Sequence, residues 1–95
     1  MKTIVVGSGI IGSSVAYHLA VRGAEVTVVT GNCPGGIATT ASFAWINAAP
    51  GNSRPYFEFR LKAILDWHRL QDELNGSLEM NRNGSLWWED DMESV

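Results

Sequence analysis

A single cysteine, Cys33, stands among the 95 residues. It has no partner for an internal disulfide, and no cysteine–histidine spacing around it offers a metal site. It sits in a Gly/Pro loop with no neighbouring histidine or basic group to activate it, so it reads as an ordinary thiol. A chain without disulfides fits a reducing, cytoplasmic compartment. Basic residues are not in excess either. Seven Lys and Arg face ten Asp and Glu, for a net charge of −3. Four of those acids, Glu89, Asp90, Asp91 and Glu93, gather at the end as a solvated tail, and the remainder is close to neutral. Nothing here makes the basic stripe that a nucleic-acid backbone requires. Long apolar runs are missing too. Gly7, Gly9 and Gly12 interrupt the first one, and no window reaches the roughly 18 apolar residues of a membrane helix. The same glycines, followed by His18 and Arg22, argue against a signal peptide despite Lys2.

Length sets the next bound. A domain of this size buries about 60–65% of the surface its unfolded chain exposes. A complete nucleotide-binding fold needs more strands and helices than 95 residues supply, which leads us to expect part of a larger fold.

Residues 2–6, Lys-Thr-Ile-Val-Val, are β-branched and nearly continuously apolar, the pattern of a strand buried on both faces. A glycine turn follows over 7–9. Residues 10–22 read as a helix with Ile11, Val15, Ala16, Leu19 and Ala20 facing inward, closed by Arg22 and Gly23. Residues 24–29 form a second strand, and a strand–helix–strand unit of this kind makes two parallel strands. The first 30 residues are thus an α/β unit of Rossmann type. Residues 31–53 are rich in Gly, Ala, Ser, Thr, Asn and Pro and read as a long loop shaped for a ligand, with one helical turn near 38–41. Residues 54–75 form a long amphipathic helix, capped by Ser53 with Pro55 in its first turn. Its apolar stripe is Tyr56, Phe59, Ala63, Trp67, Leu70 and Leu74; its charged stripe is Glu58, Lys62, Asp66, Arg69 and Glu73. Residues 78–88, around Arg82-Asn83-Gly84, read as a β-hairpin.

The chemistry lies in Gly7-Ser8-Gly9-Ile10-Ile11-Gly12, with Ala16 one turn on. Gly7 permits a tight turn out of the strand, Gly9 lets a pyrophosphate approach the backbone, and Gly12 lets helix and strand pack closely. A pyrophosphate then rests on unpaired amides at the helix start, where the helix dipole favours negative charge. The motif follows a strand, opens a helix and precedes a second strand, which is the context that gives it weight. Thr30 ends that second strand 18 positions after Gly12, where an Asp or Glu ordinarily accepts hydrogen bonds from the ribose hydroxyls. A threonine cannot chelate both hydroxyls. A 2′-phosphate suits a missing acid, but Gly31-Asn32-Cys33-Pro34 supplies no arginine to receive it, so the sequence favours a weakened ribose contact over NADP.

The glycine motif, the strand "AEVTVV", the segment "ATTASFAWINA" and the helix "RPYFEFRLKAILDWHRLQDELNG" together resemble the amino-terminal part of the FAD-dependent oxidoreductases related to D-amino acid oxidase, glycine oxidase and D-amino acid dehydrogenase. The resemblance runs through nearly the whole chain. It implies that Gly7, Ser8, Gly9, Ile10, Ile11 and Gly12 hold the FAD pyrophosphate. Thr30 stands where the family has its ribose-binding acid. Thr39, Thr40, Ala41 and Ser42 match the loop along the pyrophosphate and ribityl chain. Ala44, Ile46 and Asn47 approach the flavin ring. It further implies a chain several times longer in the whole enzyme, an amine or amino-acid substrate there, and hydride transfer from that substrate to FAD. No catalytic residue is assigned, and the present residues contribute cofactor binding.

Two rival readings stay open at this level: an NAD(P)-binding Rossmann fragment, and a truncated, non-catalytic module that associates with itself. His18 and His68 have no partner at metal or triad spacing and read as structural. Trp67 faces the core by spacing, Trp87 and Trp88 point to opposite faces of a strand, and Trp45 is the tryptophan nearest the expected flavin loop.

Overall fold

A computed structural model describes residues 1–31 and 33–86. The chain divides into two compact units, Met1–Trp45 and Ile46–Val95, the second described as far as residue 86.

In the first unit, β1 (Lys2–Val6), α1 (Ile10–Val21) and β2 (Glu25–Val29) follow one another, and a short α2 (Gly36–Thr40) comes after them. The β-branched residues expected to make strands do so. The two strands pair in parallel, from Lys2 opposite Glu25 to Val6 opposite Val29. The Gly7 amide donates to the Val29 carbonyl at 2.7 Å, adding one bond beyond the paired residues. α1 stops where Gly23, at φ +90°, turns the chain into β2. Gly23 and Arg22 amides donate to the Ala20 and Leu19 carbonyls at 2.9 and 3.1 Å.

Two expectations about packing are corrected here. β1 is covered on one face only: Thr3 and Val5 are half-buried, while Ile4 and Val6 are 70% and 84% exposed. Side chains alternate across a strand, so α1, packed on one side of the pair, shields only every second residue. The inward line of α1 is also different. Ala16 is buried and Gly12 and Leu19 are half-buried, whereas Ile11, Val15 and Ala20 are exposed. The reason is proximity: the helix meets the strand so closely at Gly12 that no side chain fits there, and Ile11 and Val15 project elsewhere while Leu19, further along, stays half-buried.

In the second unit, α3 (Arg54–Glu73) is the long helix read from the sequence. Ser53 occupies the cap position, but its hydroxyl makes no capping bond. The helix ends in a Schellman arrangement. Asn75 and Gly76 take φ +55° and +69°, and their amides reach back to the Asp72 and Gln71 carbonyls at 3.1 and 2.8 Å. None of its residues is buried. Of the expected apolar stripe, Trp67, Leu70 and Leu74 are half-buried, and Tyr56 and Phe59 are exposed. On the charged stripe, Arg69 pairs with both Asp66 and Glu73 at exposed positions. The Asp66 hydrogen bond is the first cause of a raised Arg69 pKa.

The hairpin expected over 78–88 is not formed by residues 78–86; Trp87, Trp88 and the acidic tail lie outside the described residues. The segment is instead tied to the last turns of α3. Gln71 Nε2 donates to the Leu78 and Met80 carbonyls at 3.3 and 3.2 Å. Arg82 donates to Gln71 Oε1, the His68 carbonyl and Asp72 Oδ1 at 2.6, 2.9 and 3.0 Å. These bonds hold the segment against α3 rather than against a partner strand, and an isolated two-stranded hairpin is marginal in water. No helix among the described residues is long and apolar enough to cross a membrane.

Candidate cofactor site

Because β1 and β2 run parallel, the turn after one and Thr30 after the other lie at the same end of the sheet, the carboxyl end where α/β folds take ligands. Gly7 opens the turn at φ +103°, a left-handed conformation natural to glycine. Gly9 is the N-cap of α1 with an ordinary φ of −70°, and no acidic residue sits in the first turn. The first turn therefore offers no acidic side chain to offset the dipole at this helix start. The Ser13 amide closes the first helical bond to the Gly9 carbonyl at 2.9 Å, which leaves the amides before it without intrahelical partners.

The two later glycines of the motif have different jobs. A Cβ on Gly12 would overlap the Gly7 carbonyl oxygen and stand 3.0 Å from its carbon, with Val5 Cγ1 at 3.6 Å. Gly12 therefore serves the close packing of helix on strand. A Cβ on Gly9 would meet nothing within 4 Å. The fold itself does not require a glycine there, but a group approaching the backbone from that open side does.

The second loop closes on this turn from another direction. The Gly35 amide donates to the Ser8 carbonyl at 3.0 Å. A Cβ on Gly36 would come within 3.3 Å of Gly9 Cα. The Ser8 carbonyl also accepts the Ser13 hydroxyl at 3.1 Å. Ser8 Oγ is buried with no hydrogen-bond partner among the described residues. An open cradle at Gly9, an unspent hydroxyl beside it and a helix start with no acid in its first turn all fit a pyrophosphate. Thr30, exposed at the end of β2, has no carboxylate for a ribose.

Of the residues singled out from the sequence, Gly7, Ser8 and Gly9 form the turn, Ile10, Ile11 and Gly12 begin α1, and Thr39, Thr40, Ala41 and Ser42 follow on the loop docked against the turn. Two of their hydroxyls have local partners. Thr40 Oγ1 donates to the Ile37 carbonyl at 2.7 Å, and Ser42 Oγ accepts the Ala44 amide at 3.0 Å. Thr40 has thus spent its proton, whereas Ser42 still has one to give. Thr39 makes no hydrogen bond through its hydroxyl among the described residues. Ala44 takes φ +57°, an uncommon conformation for a residue with a side chain. The Phe43 and Trp45 rings stand 6.4 Å apart. Ile46 and Asn47 belong to the second unit. Asn47 Oδ1 accepts the Ala49 amide at 3.1 Å and Arg60 Nη2 at 2.6 Å.

His18 reads as structural: its Nδ1 donates to the Ser14 carbonyl at 2.7 Å. Four residues with local roles, Ser13, Gly35, Gly36 and Arg60, are not singled out by the sequence pattern. Ser13 and the Gly35–Gly36 pair carry a signal, a hydroxyl one position past the motif and a glycine doublet. Arg60, which also lies 5.6 Å over the Tyr56 ring, carries little; its link to Asn47 spans 13 positions.

Residues 2–95 match the family described as FAD dependent oxidoreductase. Glycine oxidase from Bacillus licheniformis is 39% identical over 74 residues, covering 76% of this chain and 20% of the relative. The uncharacterized oxidoreductase YurR from Bacillus subtilis is 40% identical over 67 residues, covering 70% and 15%. D-amino acid dehydrogenase from Rhodopseudomonas palustris is 41% identical over 56 residues, covering 59% and 13%. The match thus spans a fifth or less of each of these relatives. No solved structure matches significantly.

Proposed function

Since this chain belongs to the FAD-dependent oxidoreductase family, we propose that its first unit binds the pyrophosphate of FAD on the Gly7–Gly12 turn, as part of an enzyme acting on an amine or amino acid. The observation that carries this reading is the open space at Gly9, set against the crowded Gly12. A pyrophosphate approaching the backbone at the start of α1 would take that room. The relatives named glycine oxidase and D-amino acid dehydrogenase point to amino acids as the substrate class. The FAD-dependent family also speaks against the NAD(P) alternative.

The chain's own residues bind and orient. The amides of Ile10, Ile11 and Gly12 receive the phosphate oxygens, with the α1 dipole behind them. Ser8 Oγ, Thr39 and Ser42 supply hydroxyl protons along the same path. Thr30 accepts one ribose hydroxyl weakly. FAD, when bound, supplies the capacity to accept a hydride from a carbon bearing nitrogen.

Titration of the full chain with FAD, read by flavin fluorescence, tests the reading, with NAD as the competitor. Saturable FAD binding that a bulky Gly9→Leu substitution abolishes supports it. Absence of binding, or binding indifferent to that substitution, refutes it.

A further inference from the structure

We propose that the Ser8 carbonyl is the joint that docks the second cofactor loop onto the glycine turn, and that Ser13 is a positioning residue for that joint. The carbonyl oxygen has two lone pairs, and both are engaged from different parts of the chain. The Ser13 hydroxyl reaches back from the first turn of α1 at 3.1 Å, and the Gly35 amide reaches in from the second loop at 3.0 Å. Ser13 has no need of this bond for its own helix, because its amide is already bonded to the Gly9 carbonyl. The hydroxyl instead fixes the direction in which the Ser8 carbonyl points, and that direction is where Gly35 docks.

The joint is tight on the loop side. Gly35 and Gly36 take φ +102° and +65°, and a side chain on Gly36 would press on Gly9 Cα at 3.3 Å. Only a glycine pair lets the loop lie flat against the turn. Thr39 and Ser42 follow within a few residues, so the joint sets where their hydroxyls stand relative to the open side of Gly9. The ligand in this proposal rests on the flavin reading above; the docking of one loop on the other does not.

The test uses the full chain as Ser13→Ala and Ser13→Thr. Ser13 is exposed and alanine is the better helix former, so the ligand-free melt of S13A stays close to that of the parent. The Gly35 amide, followed by hydrogen exchange without FAD, exchanges about fivefold faster in S13A, and FAD binds about fivefold more weakly, the worth of one ordinary hydrogen bond. S13T, which keeps the hydroxyl, restores both. A merely structural serine would lower the melt and leave Gly35 exchange tracking global stability. Unchanged Gly35 exchange in S13A overturns the joint. Faster exchange with no FAD binding by any of the chains supports the joint and removes the flavin reading instead.

Discussion

Gly12 leaves no room for a side chain beside Gly7: a methyl group there would overlap the Gly7 carbonyl oxygen and stand 3.0 Å from its carbon. Gly9, three residues earlier, has open space and an ordinary backbone conformation. The two substitutions to alanine therefore separate folding from binding. Gly12→Ala lowers the stability of the ligand-free chain by about 3 kcal/mol, the upper range for forcing extra atoms into a packed contact. Gly9→Ala changes stability little, because reduced freedom in the unfolded chain offsets a slightly poorer cap, yet it weakens FAD binding. Thermal melts with and without FAD distinguish the two.

The hydroxyl census on the second loop predicts an order of effects. Thr40 has given its proton to the Ile37 carbonyl, so it has none for a phosphate oxygen. Thr39→Ala is expected to weaken FAD binding about fivefold, as the loss of one hydrogen bond does, and Thr40→Ala less. Dissociation constants from fluorescence titration check the ranking; a larger effect at Thr40 reverses the assignment.

Thr30 offers a gain rather than a loss. A carboxylate at the end of β2 accepts both ribose hydroxyls, and a charge-assisted hydrogen bond is worth about 1.5–3 kcal/mol. Thr30→Asp is expected to tighten FAD binding about tenfold or more on that basis. FMN, which has no adenosine ribose, is the control: its binding does not change.

Apolar residues remain open to water on both units. Ile4 and Val6 on the sheet, and Phe59 and Leu65 on the helix, are between 66% and 84% exposed. An uncovered strand edge and an uncovered apolar face both invite pairing with another copy. The 95-residue chain is therefore expected to sediment as concentration-dependent oligomers, and Val6→Lys to shift it toward monomer. A monomer at all concentrations contradicts this.

The order of elements up to residue 73 could be read from periodicity and turn residues, because β1, α1, β2 and α3 each carry their own local pattern. The inward line of α1 could not. It is set by how closely the helix meets the strand at Gly12, a distance with no local signature, and the large apolar residues that dominate a periodicity count point the wrong way. Residues 78–86 depart from the expected hairpin for a related reason. Their turn-forming Arg82-Asn83-Gly84 looks like a hairpin, yet Gln71 and Arg82 fasten them to α3 through contacts up to 14 positions apart. At the candidate site, the glycine turn was plain from the motif. The bond from Gly35 to Ser8 joins residues from separate stretches, and only the folded chain brings them together.

The pairing of Val6 with Val29, continued by the Gly7 amide on the Val29 carbonyl, acts as a ruler. It fixes the span between the phosphate turn and Thr30 in whole residue steps. A slip of β2 by two residues keeps every side chain on its own face but shifts Thr30 by about 7 Å along the strand, farther than any side chain there could make up. The hydrogen bonds of two short strands thus calibrate how long a nucleotide could lie between the two points proposed to anchor it.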